Sequence, residues 1–279
     1  MLELSGMGSV LRGIGILYWL LAIGAVGLAI WKGRNWQRKT LWAAIAIAVF
    51  GFLPAKATIE QAKRDAYARE AWAYFKKLCD EKSGEKIYKT HTGVKSVLVV
   101  KALPLATEKD LYDQFWFGDP YSNASAVDDR GISAALSLTL YSRRPDGAIQ
   151  RGLDFVELKN EIGDRYTRII RPRSYNERAG REIVEKPTSR FGVSWEDIST
   201  HEDRKYWVAA SRLRVVDLTD NSIVAERIGY FIEAGFGSKG GGRRPWLTSR
   251  GPNTTCPALL GGDYSDTWFI ANVFKLDSE

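Results

Sequence analysis

Gly13–Trp31 reads GIGILYWLLAIGAVGLAIW, 19 residues without a charge. As a helix rising 1.5 Å per residue it reaches roughly 30 Å, about the hydrocarbon thickness of a bilayer. Trp19 and Trp31 lie towards its edges, and Arg12 and Lys32 flank it. Aromatic and basic anchors at the ends of an apolar helix suit the membrane interface. This run predicts a transmembrane helix over 13–31.

A second apolar run, Thr40–Ala55, is 16 residues long. Lys39 and Lys56 can snorkel, and tilt or local thinning of the bilayer covers the shortfall. Pro54 is expected to end this helix, because it disfavours helical geometry at Leu53. The run also has the layout of an export signal, with Ala55-Lys56-Ala57 as a small-x-small cleavage site. A whole apolar segment precedes it, so a second membrane helix over 40–55 is the preferred reading. Lys32, Arg34, Arg38 and Lys39 make the intervening loop strongly basic, which favours retaining it on the cytoplasmic side. Residues 1–57 are thus expected to be a two-helix transmembrane hairpin with both ends outside the cytoplasm. In a bacterial cell this places the bulk of the chain in the periplasm, anchored in the inner membrane. Gly24, Gly27, Ala44 and Ala48 would let these helices, or two copies of the chain, pack closely.

The formal charge of +7 is concentrated in the anchor. Residues 1–57 hold six basic and one acidic side chain (+5), which leaves +2 on 58–279. A part so near neutral gives no support to nucleic-acid binding. The only cysteines, Cys79 and Cys256, lack neighbours at zinc-ligand spacing. In an oxidising compartment they are expected to form one disulfide.

Thr58–Lys82 is rich in Ala, Glu, Lys and Arg and free of Gly and Pro, and predicts an amphipathic helix that links the anchor to the next domain. Beyond it the apolar period shortens. Strands are expected at Ile87–Thr90, Val94–Lys101, Ala135–Tyr141, Leu153–Leu158, Arg165–Arg171 and Glu182–Lys186. A hairpin, Tyr206–Asp217 with Ile223–Phe231, is joined by LTDNS, and a last strand is expected at Trp268–Leu276. With no repeated strand–helix alternation, residues 83–279 predict an α+β domain on a mainly antiparallel sheet. Gly235–Asp266 is too rich in Gly and Pro for a regular element, and connections of that length are usually functional or disordered.

Catalytic signatures are weak. GSKGGGRR (Gly237–Arg244) lacks the order of a phosphate-binding loop, and no G-x-S-x-G elbow is present. His201 stands among acids, where Ser199 or Thr200 would cap a short helix with Glu202 and Asp203 in its first turn. Asp128, Asp129, Asp263 and Asp266 lie in loops without a spacing that defines a cleft. No catalytic residue, cofactor site or metal site is assigned. Asn123-Ala-Ser and Asn253-Thr-Thr match the glycosylation pattern, which matters only in a eukaryotic secretory setting.

Two stretches are dense in aromatic and basic residues. DQFWFGDPYSN holds Phe115, Trp116, Phe117 and Tyr121, and the late loop holds Arg243, Arg244, Trp246 and Tyr264. That composition resembles a protein-recognition surface. The leading expectation is a membrane-anchored, non-enzymatic extracytoplasmic domain that binds a membrane or envelope protein, as accessory subunit of a complex or inhibitor of a toxin. One alternative is an envelope hydrolase using Asp128, Asp263 or His201. Another is a cytoplasmic-facing domain that binds an anion or lipid head group through Lys239, Arg243 and Arg244.

Overall fold

The computed structural model describes residues 3–32, 35–101, 106–123, 132–139, 142–143, 149–160, 164–173, 177–247, 251–258 and 265–276. The chain divides into two compact units, Met1–Ala68 and Arg69–Glu279.

The first unit contains α1 (Glu3–Lys32) and the opening part of α2 (Trp36–Lys82). Leu17, Leu21, Leu41, Ile47, Phe52 and Leu53 are all exposed, an apolar surface that water does not favour. α2 is long and apolar enough to cross a membrane, and Gly13–Leu28 forms a shorter apolar helix. Pro54 does not end the second helix as expected; it lies inside α2. Lacking an N–H, it cannot donate to the carbonyl of Phe50, four residues earlier. The hydroxyl of Tyr18 donates to that carbonyl instead, and the Tyr18 and Phe50 rings meet edge-on at 5.8 Å. A partner from α1 thus satisfies the group that Pro54 leaves open.

The second unit holds the end of α2 and, among the described residues, a nine-stranded sheet. Its strands are β1 (Gly84–Ile87), β2 (Ser96–Lys101), β5 (Phe155–Lys159), β6 (Tyr166–Ile170), β7 (Gly180–Val184), β8 (Phe191–Asp197), β9 (Val208–Asp217), β10 (Ser222–Ile232) and β11 (Thr255–Cys256). They run in the order β1-β10-β9-β8-β2-β5-β6-β7, with β11 on β10. A separate two-stranded ribbon pairs β3 (Ser142–Arg143) with β4 (Ile149–Gln150). The sheet is mixed, which corrects the expectation of a mainly antiparallel one. β2 pairs parallel to β5 on one side and to β8 on the other, with Val97 opposite both Val156 and Phe191.

Hydrophobic cores lie on both faces of the sheet at β9 and β10. On β9, alternate residues point to opposite faces. Val208 and Ala210 pack with Ala71, Phe75 and Leu78 of α2, which sit at helical spacing. Leu213 and Val215 belong to the larger core on the other face. After the single-turn α3 (Pro120–Asn123), Leu138 of α4 (Ile132–Thr139) and Phe269, Ile270, Val273 and Phe274 of α6 (Ser265–Phe274) close that core. Two segments expected as strands, Ala135–Tyr141 and Trp268–Leu276, are therefore helical at 135–139 and 268–274. Buried positions at i, i+1, i+4 and i+5 of α6 form one helix face. Cys79 and Cys256 are joined by a disulfide and flank the smaller core.

The return from β7 to β8 takes only residues 185–190 and is pinned by Glu157, which is 0% exposed. Its carboxylate accepts from the amides of Thr188 and Ser189 at 2.9 Å each and from the Ser189 hydroxyl at 2.6 Å. Arg168 adds an ion pair at 2.9 Å. Burial pushes the Glu157 pKa up, but the Ser189 hydroxyl, Arg168 and the two amides outweigh it and hold the group below the usual carboxylate range. A folded pKa below the unfolded value gives stability that is complete above about pH 4.3 and lost as pH falls through the folded pKa. Glu157→Gln is expected to cost about 1–3 kcal/mol at neutral pH. It should also flatten the acid limb of the stability profile, read by denaturant unfolding from about pH 3 to pH 7. An acid limb unchanged by the substitution would contradict this role.

Candidate partner-binding surface

The surface is built from three segments of the second unit: residues 106–121, α5 (His201–Lys205) and residues 233–247. Thr200 caps α5, with a reciprocal capping box to Asp203. The Tyr74 hydroxyl of α2 donates to Asp203 at 2.7 Å. Burial, then the Asp203 contact, push the Tyr74 pKa well above its ordinary value.

Arg204, on the buried side of α5, is 0% exposed. Its guanidinium donates to Asp197 at 2.5 Å and stacks against two rings, 4.8 Å from Trp246 and 5.4 Å from Phe117. Burial pulls its pKa down, and Asp197 opposes that pull. Its Nε and Nη1 find no oxygen acceptor among the described residues. The flanking π faces stabilise the cation where hydrogen bonds do not.

The 113–121 segment is fixed onto this centre. Gln114 donates to the terminal carbonyls of α5, Arg204 O at 2.8 Å and Lys205 O at 2.9 Å, groups that a helix end leaves open. The indole of Trp246 donates to Asp113 O at 2.6 Å. The amide of Asp119 donates to Asp197 at 3.2 Å, and Ser211 donates to the Asp119 carboxylate at 2.7 Å. Gly118 leaves room for the Trp116 ring, since a Cβ there would lie 1.7 Å from it.

Above this anchored base, Phe115 is 39% and Phe117 53% exposed. Phe115 stacks on His201 at 4.5 Å with an interplanar angle of 13°. Trp116 is half-buried, whereas Tyr121 and Trp246 are buried. Tyr121 accepts from Arg227 at 3.3 Å and packs on Gly229. Of the residues expected to meet a partner, Phe115 and Phe117 are thus presented outward, Trp246 supports them through Arg204 and Asp113, and Tyr121 is buried against β10. Tyr264, like Asp128 and Asp263, lies outside the described residues.

Glu233, fully buried, organises the glycine-rich loop. It accepts from the amides of Gly235 at 3.0 Å and Gly237 at 2.7 Å, and from Arg243. Gly237 adopts φ +76° directly against the Trp207 ring, 2.2 Å from where a Cβ would stand. Arg244 pairs with Glu108 at 3.2 Å, and Lys239 lies over Tyr112 at 5.2 Å. The three cations suggested for anion capture therefore each have a partner in the chain.

His201 makes no hydrogen bond to a serine, cysteine or carboxylate among the described residues, and no group of three or more His, Cys, Asp or Glu side chains there is placed to hold a metal. Sequence reading overlooked Gln114, Arg204 and Glu233. A capping box preceding HEDRK is a local signal for α5, but nothing in the sequence marks its arginine as buried.

No protein-family model, curated protein or solved structure matches the chain.

Proposed function

We propose that this chain is a membrane-anchored domain that binds a protein partner outside the cytoplasm, with Phe115 and Phe117 as the contact anchors. The observation that carries the reading is the support under these two rings. Exposed aromatics held by Arg204, Gln114, Asp119 and Trp246 lose little freedom when a partner covers them, and such preorganisation favours affinity. The exposed apolar side chains of α1 and α2 support the anchor. So does the Tyr18 contact at the carbonyl freed by Pro54, the kind of satisfaction a proline needs in lipid. The basic 32–39 loop supports the orientation, and the Cys79–Cys256 bond is compatible with an oxidising compartment. Anchoring raises the local concentration of the domain near a membrane-bound partner.

The test is photo-crosslinking in intact cells, with the reactive group placed at residue 115 or 117 and, as a control, at Lys186. Discrete adducts at 115 and 117 but not at 186 are expected, lost for 115 when Phe117→Ser is added. Absence of adducts at both positions would overturn the partner assignment. A cysteine introduced at Lys86 should react with a membrane-impermeant reagent in intact cells; protection there, with labelling after lysis, would invert the topology.

A further inference from the structure

Lys275 occupies a backbone position that favours glycine. It follows α6 with φ +44°, and the amide of Leu276 donates back to Ala271 O at 3.0 Å. Helices usually close this way on glycine, because the left-handed conformation strains other residues. Strain retained at such a position points to a use for the side chain.

The side chain lines a cavity of about 380 Å³ where β2 and β5 begin. That volume suits a small molecule. Val94 and Leu276, both half-buried, supply apolar lining, over the closed core side chains of Leu153 and Phe274. Four cations, Lys95, Arg151, Arg171 and Lys275, face one carboxylate, Asp154, among the described lining residues. That carboxylate is already engaged: Arg171 reaches it at 2.7 Å while donating to Gly152 O at 2.7 Å, and Arg151 approaches to 3.9 Å. Neither Lys95 nor Lys275 has an ion-pair partner among the described residues. Gathering like charges around a concave, partly apolar site is unfavourable until an anion enters.

We propose that this cavity binds a small organic anion, a carboxylate or phosphate monoester with a short apolar body. Lys95 and Lys275 take the charged head, and the half-buried side chains of Val94 and Leu276 take the body. The site is separate from the Phe115–Phe117 surface and does not depend on that assignment.

The experiment is thermal unfolding of the full chain in a nonionic detergent at constant ionic strength, with benzoate, phenyl phosphate, benzyl alcohol and inorganic phosphate as probes. Benzoate or phenyl phosphate should raise Tm saturably in the range of about 1–10 mM, and the stronger of the two identifies the head group. Benzyl alcohol and inorganic phosphate should act far more weakly. Lys275→Gly should raise the Tm of the unliganded chain by relieving the left-handed strain, and Lys95→Ser with Lys275→Gly should abolish the response to the anions. The proposal is overturned if benzyl alcohol or inorganic phosphate matches the organic anions, if the double variant still responds, or if neither anion shifts Tm.

Discussion

Arg204→Ala is expected to lower the stability of the full chain by about 3–5 kcal/mol, the range for removing one partner of a buried ion pair. The loss has two sources. Asp197 is left in a nearly closed site without its cation, and the space between Trp246 and Phe117 loses the group that both rings face. Arg204→Lys keeps the charge but not the planar stack, so it should fall between the alanine variant and the parent chain. Urea unfolding in nonionic detergent, followed by tryptophan fluorescence, gives both values. A cost below about 1 kcal/mol for alanine would mean that the pair behaves as an exposed one.

Opening the Cys79–Cys256 bond is the other large effect. The linked residues are 177 apart, and the chain-entropy estimate for so long a loop is about 5 kcal/mol, with measured losses usually about 2–5 kcal/mol. Cys79→Ser should therefore shift the unfolding midpoint strongly, and reductant should shift the parent chain equally while leaving the variant unchanged. The same pair reports its compartment. Rapid acid quenching and alkylation of living cells should find both sulfurs oxidised; freely alkylated thiols would place the domain in a reducing environment.

Local chemistry made part of the fold legible. The β9–β10 hairpin follows from two apolar runs around LTDNS, and the β5–β6 pair from Leu153–Leu158 and Arg165–Arg171. Short apolar stretches misled. Leu136, Leu138 and Leu140 alternate like a strand, yet residues 132–139 are helical, because eight residues hold too few turns for the period to declare itself. WFIANVF carries strand-favouring residue types, but its buried positions belong to a helix. β8 was overlooked because Gly192 interrupts it; a Cβ there would crowd the side-chain ends of Val100 and Leu218, at 2.6 and 2.9 Å. The parallel pairing of β2 depends on strands far away in sequence and leaves no local mark. The aromatic character of the candidate surface was visible, but the division into outward rings and buried supports was not. Burial of Arg204 and Glu233 is a property of the assembled layers.

The strand order also dictates when this unit can form during synthesis. Gly84–Ile87 finds its neighbour only at residues 225–228, Cys79 finds its sulfur at 256, and Ser96–Lys101 waits for residues 155–158 and 191–194. Every early segment is completed by a late one, so a ribosome must deliver most of the polypeptide before the first segments have anything to join. Closure of the sheet therefore waits for residues 225–256, and the greasy strand at 96–101 lacks its second neighbour until residues 191–194 are made.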